Sequence, residues 1–188
     1  MKDIVIFGNS YQGAYAAELR DFFVRLLGQT DLRVSFDSVY RDYLAGIIPG
    51  VLDNVRTVSG FDFNADLALS IGGDGTFLHT ANRIGDKQIP IMGLNSGHLG
   101  YLSAAPMADI DTTISHIETG DYVVESRSML AAECPDRRIQ ARPFALNEAA
   151  ILRQDTGSMI AVDTFVDGMP LAKYLGDGLI ISTPTGST

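Results

Sequence analysis

The chain has little that would tie it to a membrane, to nucleic acid or to an oxidising compartment. A single cysteine, Cys134, in 188 residues cannot close an intramolecular disulfide, which favours a reducing compartment. No apolar run approaches the roughly 20 residues of a membrane-spanning helix. Lys2-Asp3 followed by Ile4-Val5-Ile6-Phe7 reads as a first β-strand rather than a secretory leader, so the expected location is the cytoplasm. Basic clusters are equally scarce. Nothing exceeds the pair Arg137-Arg138, read as a solvated turn, and a formal net charge of −9 with a pI near 4.6 opposes general affinity for nucleic-acid backbones. No His/Cys/Glu spacing fits zinc, and Cys134, between Glu133 and Pro135, carries no nucleophile signature. Internal repeats and low-complexity segments are absent.

What is present suits a packed α/β protein, since 46% of the residues are hydrophobic. Strands are expected at Ile4–Phe7, Leu32–Phe36, Leu67–Ile71 and Ile89–Leu94. Between them, Ala14, Ala17, Leu19, Phe22, Phe23, Leu26 and Leu27 recur at helical spacing up to Gly28. Further helices are expected at Tyr40–Ile48, Thr76–Ile84 and Met107–Ile117. This alternation predicts a doubly wound, Rossmann-like parallel sheet over residues 1–120. After Gly120 the pattern changes to strand-like runs at Tyr122–Val124, Met129–Ala132, Phe144–Leu152, Met159–Val166 and Leu179–Ser182, parted by Pro/Asp/Gly turns. Residues 121–188 therefore read as the first part of an antiparallel, β-rich domain. The last strand ends in a Pro/Gly turn with nothing after it to cover its edge, so the chain is expected to be a piece of a longer protein.

The most specific chemistry lies in Gly72-Gly73-Asp74-Gly75-Thr76, between the buried run Leu67–Ile71 and a helix. Glycines at a strand-to-helix turn bring backbone close to a ligand and present amide donors at a helix N-terminus, a phosphate site. Asp74 is out of place for phosphate binding alone, because a carboxylate repels phosphate unless it binds metal or takes a proton. A kinase needs such a group. Thr76 is either a ligand contact or the helix N-cap. His79, at i+3 from Thr76, faces either a bound phosphate or solvent. A second loop, Asn95-Ser96-Gly97-His98-Leu99-Gly100, falls at what should be the same carboxyl edge of the sheet, with His98 shaping it. His116 reads as a surface or helix-end residue.

The glycine loop, the run Leu94–Leu102, the pair Asn147-Glu148 and the run Gly176–Thr188 together resemble the motif set of NAD kinases, in order and at comparable spacing. The resemblance spans residues 1–188 as the N-terminal two-thirds of such an enzyme. It implies phosphoryl transfer from ATP, or another phosphate donor, to the 2′-hydroxyl of the adenosine ribose of NAD, with a divalent cation such as Mg²⁺, in a homodimer or homotetramer. It further implies Asp74 as proton acceptor, and Gly72, Gly73, Asp74, Gly75, Thr76, His79, Asn147, Glu148, Asp177 and Thr188 as contacts to the nucleotides, and it leaves the metal ligands open. Where many bacterial members carry a basic residue two positions before the aspartate, this chain has Leu175. On its own, the stretch 1–188 is expected to be nearly inactive and prone to self-association. The alternatives are a lipid or sugar kinase sharing the glycine loop, and a non-catalytic nucleotide-binding module.

Overall fold

The structure, a computed structural model, describes residues 1–95, 100–102, 105–106 (backbone only), 110–135, 144–155 and 157–187. The chain forms two compact units, Met1–Glu125 and Ser126–Thr188. Among the described residues no helix is long and apolar enough to cross a membrane.

The first unit comprises β1 (Lys2–Gly8), α1 (Ala16–Leu27), β2 (Leu32–Asp37), α2 (Ser38–Ile47), β3 (Arg56–Val58), β4 (Leu67–Ile71), α3 (Asp74–Ile84), β5 (Ile91–Asn95), β6 (Ala105–Pro106) and α4 (Ile110–Thr119). Its sheet is parallel throughout, in the order β3-β2-β1-β4-β5-β6. A parallel sheet covered on both faces needs strands apolar on both, and the runs Ile4–Phe7 and Leu67–Ile71, the latter interrupted only by the buried Ser70, meet that requirement. Side chains alternate between the faces. Ile4 and Ile6 pack with Leu19, Phe22, Phe23 and Leu26 of α1 and with Ile114 and Ile117 of α4, whereas Val5 and Phe7 pack with Phe63, Ala68, Ile89 and Ile84 of α3. The sheet is thus doubly wound, as the alternating pattern predicts.

The spacing of Leu19, Phe22, Phe23 and Leu26 makes the apolar stripe of α1, and all four are fully buried. Phe23 sits edge-on to Phe22 at 5.4 Å and to Phe36 at 5.2 Å between ring centroids. Its truncation in Phe23→Ala is expected to cost about 3–5 kcal/mol, from lost transfer energy and the cavity left behind. A denaturant titration reads this as a lower midpoint, and an unchanged midpoint would remove Phe23 from the core. On the opposite face, Asp37 caps α2 by accepting the Tyr40 N–H at 3.3 Å and pairs with Arg83 of α3 at 2.7 Å, both side chains nearly out of solvent. The Arg83 guanidinium also donates to Gly60 O at 2.6 Å and lies over the rings of Phe7 and Phe61. This ties α3, the helix after the glycine loop, to the end of β2.

The second unit comprises β7 (Leu130–Ala131), β8 (Phe144–Ala145), β9 (Glu148–Leu152), β10 (Ile160–Val166), β11 (Met169–Gly176) and β12 (Gly178–Ser182). They pair antiparallel as β7–β8, β9–β12 and β10–β11. Several expectations change here. Tyr122–Val124 forms no strand: Val123 is 97% exposed and has no ladder to join. Phe144–Leu152 is broken by a bend at Leu146-Asn147 into β8 and β9. Conversely, Met169–Gly176 is a strand that the sequence reading left out. It pairs with β10 across Asp167-Gly168, whose φ angles of 52° and 78° fit the two-residue hairpin turn that suits the strand twist.

Candidate active site

In the first unit, β1 and β4 are neighbours, and from them the strand order runs outward in both directions. Their carboxyl ends are therefore the topological switch point, where open α/β sheets form a crevice. Gly8-Asn9 ends one strand and Gly72-Gly73 the other. The turn at Gly72 has φ of +146°, a conformation that side chains rarely adopt, and its N–H donates to Leu94 O at 2.9 Å. The chain then enters α3 with Gly73 as N-cap, which offers no side-chain acceptor to the first amides of the helix. Thr76 is therefore not the N-cap; it lies inside the first turn, buried, its N–H bonded to Gly73 O at 3.0 Å. A Cβ built on Gly73 or Gly75 would meet nothing within 4 Å. Packing within the protein does not demand glycine there, so both positions leave the helix N-terminus open to an approaching group.

Asp74 is the first residue of α3 and half-buried. Its Oδ2 accepts the Tyr101 N–H at 2.9 Å and its Oδ1 the Leu102 N–H at 3.0 Å. Two backbone donors thus orient the carboxylate across 27 and 28 residues of sequence. Gly100 makes the approach possible, because a Cβ there would fall on the carboxylate, 2.7 Å from Cγ. His79 is exposed, and among the described residues its side chain makes no hydrogen bond or ion pair. Residues 96–99, with His98, lie outside the described residues, as does Thr188.

Behind the crevice stands a buried polar group that the sequence reading missed. Gln12 is 1% exposed; its Nε2 donates to Ile71 O at 2.7 Å and its Oε1 accepts from Tyr40 Oη at 2.7 Å. Its backbone N–H donates to Tyr43 Oη at 2.8 Å. Burial, reinforced by the neighbouring Tyr43, holds the Tyr40 phenol far above its ordinary titration range, so Tyr40 remains a neutral donor to Gln12. The β1 loop is thereby fixed to the last residue before Gly72.

In the second unit, Asn147 lies in the bend before β9 and Glu148, exposed, is the first residue of that strand. Asn147 O accepts the Thr183 N–H at 2.8 Å and the Ser182 hydroxyl at 3.3 Å. Its side-chain Oδ1 is shielded from solvent and has no hydrogen-bond partner among the described residues. Thr183, another residue the sequence reading did not single out, donates to Leu146 O at 2.6 Å and accepts the N–H groups of Thr185 and Gly186 at 3.1 and 3.2 Å. It fastens the Pro184–Ser187 turn onto the Asn147 bend. Asp177 is elsewhere. The β9–β12 register sets Glu148 against Ser182 and Leu152 against Gly178, so Asp177 is at the far end of the ladder, paired with Arg153 at 3.0 Å. The structure brings Asn147 and Glu148 together but does not bring Asp177 to them. Leu175 is 65% exposed.

Fold and site define a doubly wound α/β unit with an aspartate-bearing glycine turn at its switch point, followed by an antiparallel β unit. The ATP-NAD kinase N-terminal domain matches residues 27–122, and the ATP-NAD kinase C-terminal domain matches residues 146–188. Similar chains include the NAD kinases of Bacteroides fragilis, 42% identical over 97% of this chain, and of Porphyromonas gingivalis, 37% identical over 100%. The chain spans 63% and 64% of the length of these two curated relatives. Among solved structures, a yeast NADH kinase complexed with NADH aligns with a TM-score of 0.79 at 20% identity, covering 100% of this chain and 59% of that one. An NAD kinase from Archaeoglobus fulgidus in complex with ATP gives 0.64 at 24%, covering 100% and 62%. The fold is shared with both. The chain belongs to the ATP-NAD kinase family.

Proposed function

We propose that the protein is an NAD kinase that transfers the γ-phosphoryl group of ATP to the 2′-hydroxyl of the adenosine ribose of NAD, giving NADP and ADP. The observation that carries this reading is the Asp74 carboxylate, oriented by two amides at the mouth of a helix N-terminus that Gly73 and Gly75 leave open. A carboxylate oxygen carries more than one lone pair, so receiving an amide N–H does not of itself stop the group from accepting a proton. In the proposed step the 2′-oxygen attacks the γ-phosphorus while its proton passes to Asp74, and the bond from that phosphorus to the β,γ-bridging oxygen breaks to release ADP. Gly73 and Gly75 would receive phosphate or ribose oxygens on backbone N–H groups and Thr76 on its hydroxyl, while Gly72, whose N–H is bonded to Leu94 O, shapes the turn.

Asn147 and Glu148 are proposed to bind NAD rather than to do chemistry. The partnerless Asn147 Oδ1 supports this, as an acceptor suited to an adenine amine or a ribose hydroxyl, and the exposed Glu148 carboxylate accepts hydroxyls. A divalent cation such as Mg²⁺ supplies charge neutralisation on the phosphates when bound. The described residues contain no group of three or more His, Cys, Asp or Glu that could hold a metal, and Mg²⁺ held largely by substrate phosphates needs none. The reading also carries a cytoplasmic location and a homodimer or homotetramer.

Glu148→Gln tests the binding role. In the full-length gene product, NAD KM is expected to rise about tenfold with kcat within about threefold, because an interaction made equally in ground and transition states appears in KM. A large fall in kcat at unchanged KM would place Glu148 in the chemistry instead. The same assay, run with a lipid or a sugar replacing NAD, is expected to give no phosphorylated product.

A further inference from the structure

At the switch point the β1 loop does more than end a strand. Asn9 Nδ2 donates to Thr76 Oγ1 at 2.8 Å, 67 residues away in sequence, and Asn9 Oδ1 accepts the Tyr11 N–H at 3.0 Å. The amide is thus held at both ends, and its orientation is set by the backbone of its own loop. That loop is itself immobilised by the buried Gln12, which reaches Ile71 O immediately before the glycine turn. Gly72 makes room for the pair. A Cβ at that position would collide with Thr76 Oγ1 and come within 2.7 Å of Asn9 Nδ2. One requirement for glycine in the turn is therefore to admit the contact between Asn9 and Thr76.

A threonine hydroxyl has one hydrogen to give and lone pairs to receive. When its oxygen accepts from Asn9, the hydrogen is turned away from the β1 loop. Thr76 lies in the first turn of α3, beside the amides that no side chain caps, so that hydrogen is directed to the same region as they are. An oxygen already polarised by a donor is also a better donor itself.

We propose that Asn9 is a positioning residue of this site: it fixes the Thr76 hydroxyl as a hydrogen-bond donor to a phosphate oxygen of the nucleoside triphosphate. The inference rests on the kinase reading above and adds a residue from the first βα loop to it. Asn9 acts through Thr76 and does not itself touch the phosphate.

The test uses the full-length gene product and steady-state kinetics with ATP and NAD varied separately. Asn9→Asp is nearly isosteric and keeps an acceptor for the Tyr11 N–H, but it has no N–H to give Thr76 and draws the hydroxyl hydrogen toward itself. It is expected to raise the ATP KM about tenfold while leaving the NAD KM within about twofold. Thr76→Val should do the same, and Asn9→Ala should add nothing in the Thr76→Val background, because the hydroxyl through which Asn9 acts is gone. A merely structural role would move both KM values and would make the double variant additive. Equal shifts for ATP and NAD, additivity, or an unchanged ATP KM in Asn9→Asp would each overturn the proposal while parent activity leaves the kinase reading intact. A parent that forms no NADP overturns both. Should Asn9→Ala fail to fold, Asn9→Asp against Thr76→Val decides the matter.

Discussion

Asp74→Asn is expected to lower kcat for NADP formation by about 10² to 10⁴, the range that a positioned general base typically contributes, with NAD affinity held within about tenfold. An asparagine keeps the size of the side chain but cannot accept the ribose proton. It also changes the tether. The carboxylate receives N–H groups on both oxygens, from Tyr101 and Leu102. An amide offers one oxygen to these two donors and sets its own NH₂ against the other. The Tyr101 contact is exposed, so water can replace it and the cost to folding is small. Turnover and NAD titration on one preparation check the split. Activity within threefold of the parent would remove Asp74 as the base.

Gly100→Ala is the second substitution with a large expected effect, and it alters the base without touching it. The new methyl would overlap the Asp74 carboxylate, whose Cγ and Oδ2 stand 2.7 and 3.0 Å from the position a Cβ would take. Either the carboxylate swings off the two amides or the 100–102 segment moves away, and both outcomes misplace the proton acceptor. Displacements of about an ångström at a reacting group cost on the order of 10² in rate. The expected result is a kcat loss of that size with a much smaller change in NAD KM. A melting point near that of the parent would show that the fold survives. A kcat within threefold of the parent would show that the clamp has no part in orienting Asp74.

The elements that the sequence made legible are those whose burial is local. Ile4–Phe7 and Leu67–Ile71 are apolar on both faces because the sheet is covered on both, and the stripe of α1 repeats at helical spacing. Edge strands gave no such signal. Arg56-Thr57-Val58 is short, polar and largely exposed, and β6 has two residues; backbone pairing alone makes them strands. The reverse error came from Tyr122–Val124, whose β-branched residues suit a strand that no neighbour provides. Met169–Gly176 was hidden by Pro170 and by the register shift between Thr164 and Phe165, although Asp167-Gly168 was a hairpin signal in plain view.

For the site, the glycine turn was readable because its residues are contiguous. The partners that orient it were not. Asn9 with Thr76, Gln12 with Ile71, and Asp74 with Tyr101 and Leu102 are joined by strand order, and spacing along the chain does not reveal which loops that order brings together. The helix cap followed the same logic. Thr76 looked eligible by residue type, but the turn at Gly72 starts the helix earlier and makes Gly73 the cap. Asp177 belongs to a contiguous motif as well, yet its place beyond the far end of the β9–β12 ladder is set by register.

The most direct measurement is the fate of the γ-phosphoryl group when the full-length gene product is mixed with ATP, NAD and Mg²⁺. Phosphorus NMR and an NADP-specific dehydrogenase together identify the acceptor atom and count the product. The expected result is one ADP for each NADP, with the new phosphate on the 2′-oxygen of the adenosine ribose and formation slowed by about 10² or more in Asp74→Asn. ATP hydrolysis without NADP, or transfer to a lipid or sugar in preference to NAD, would contradict it.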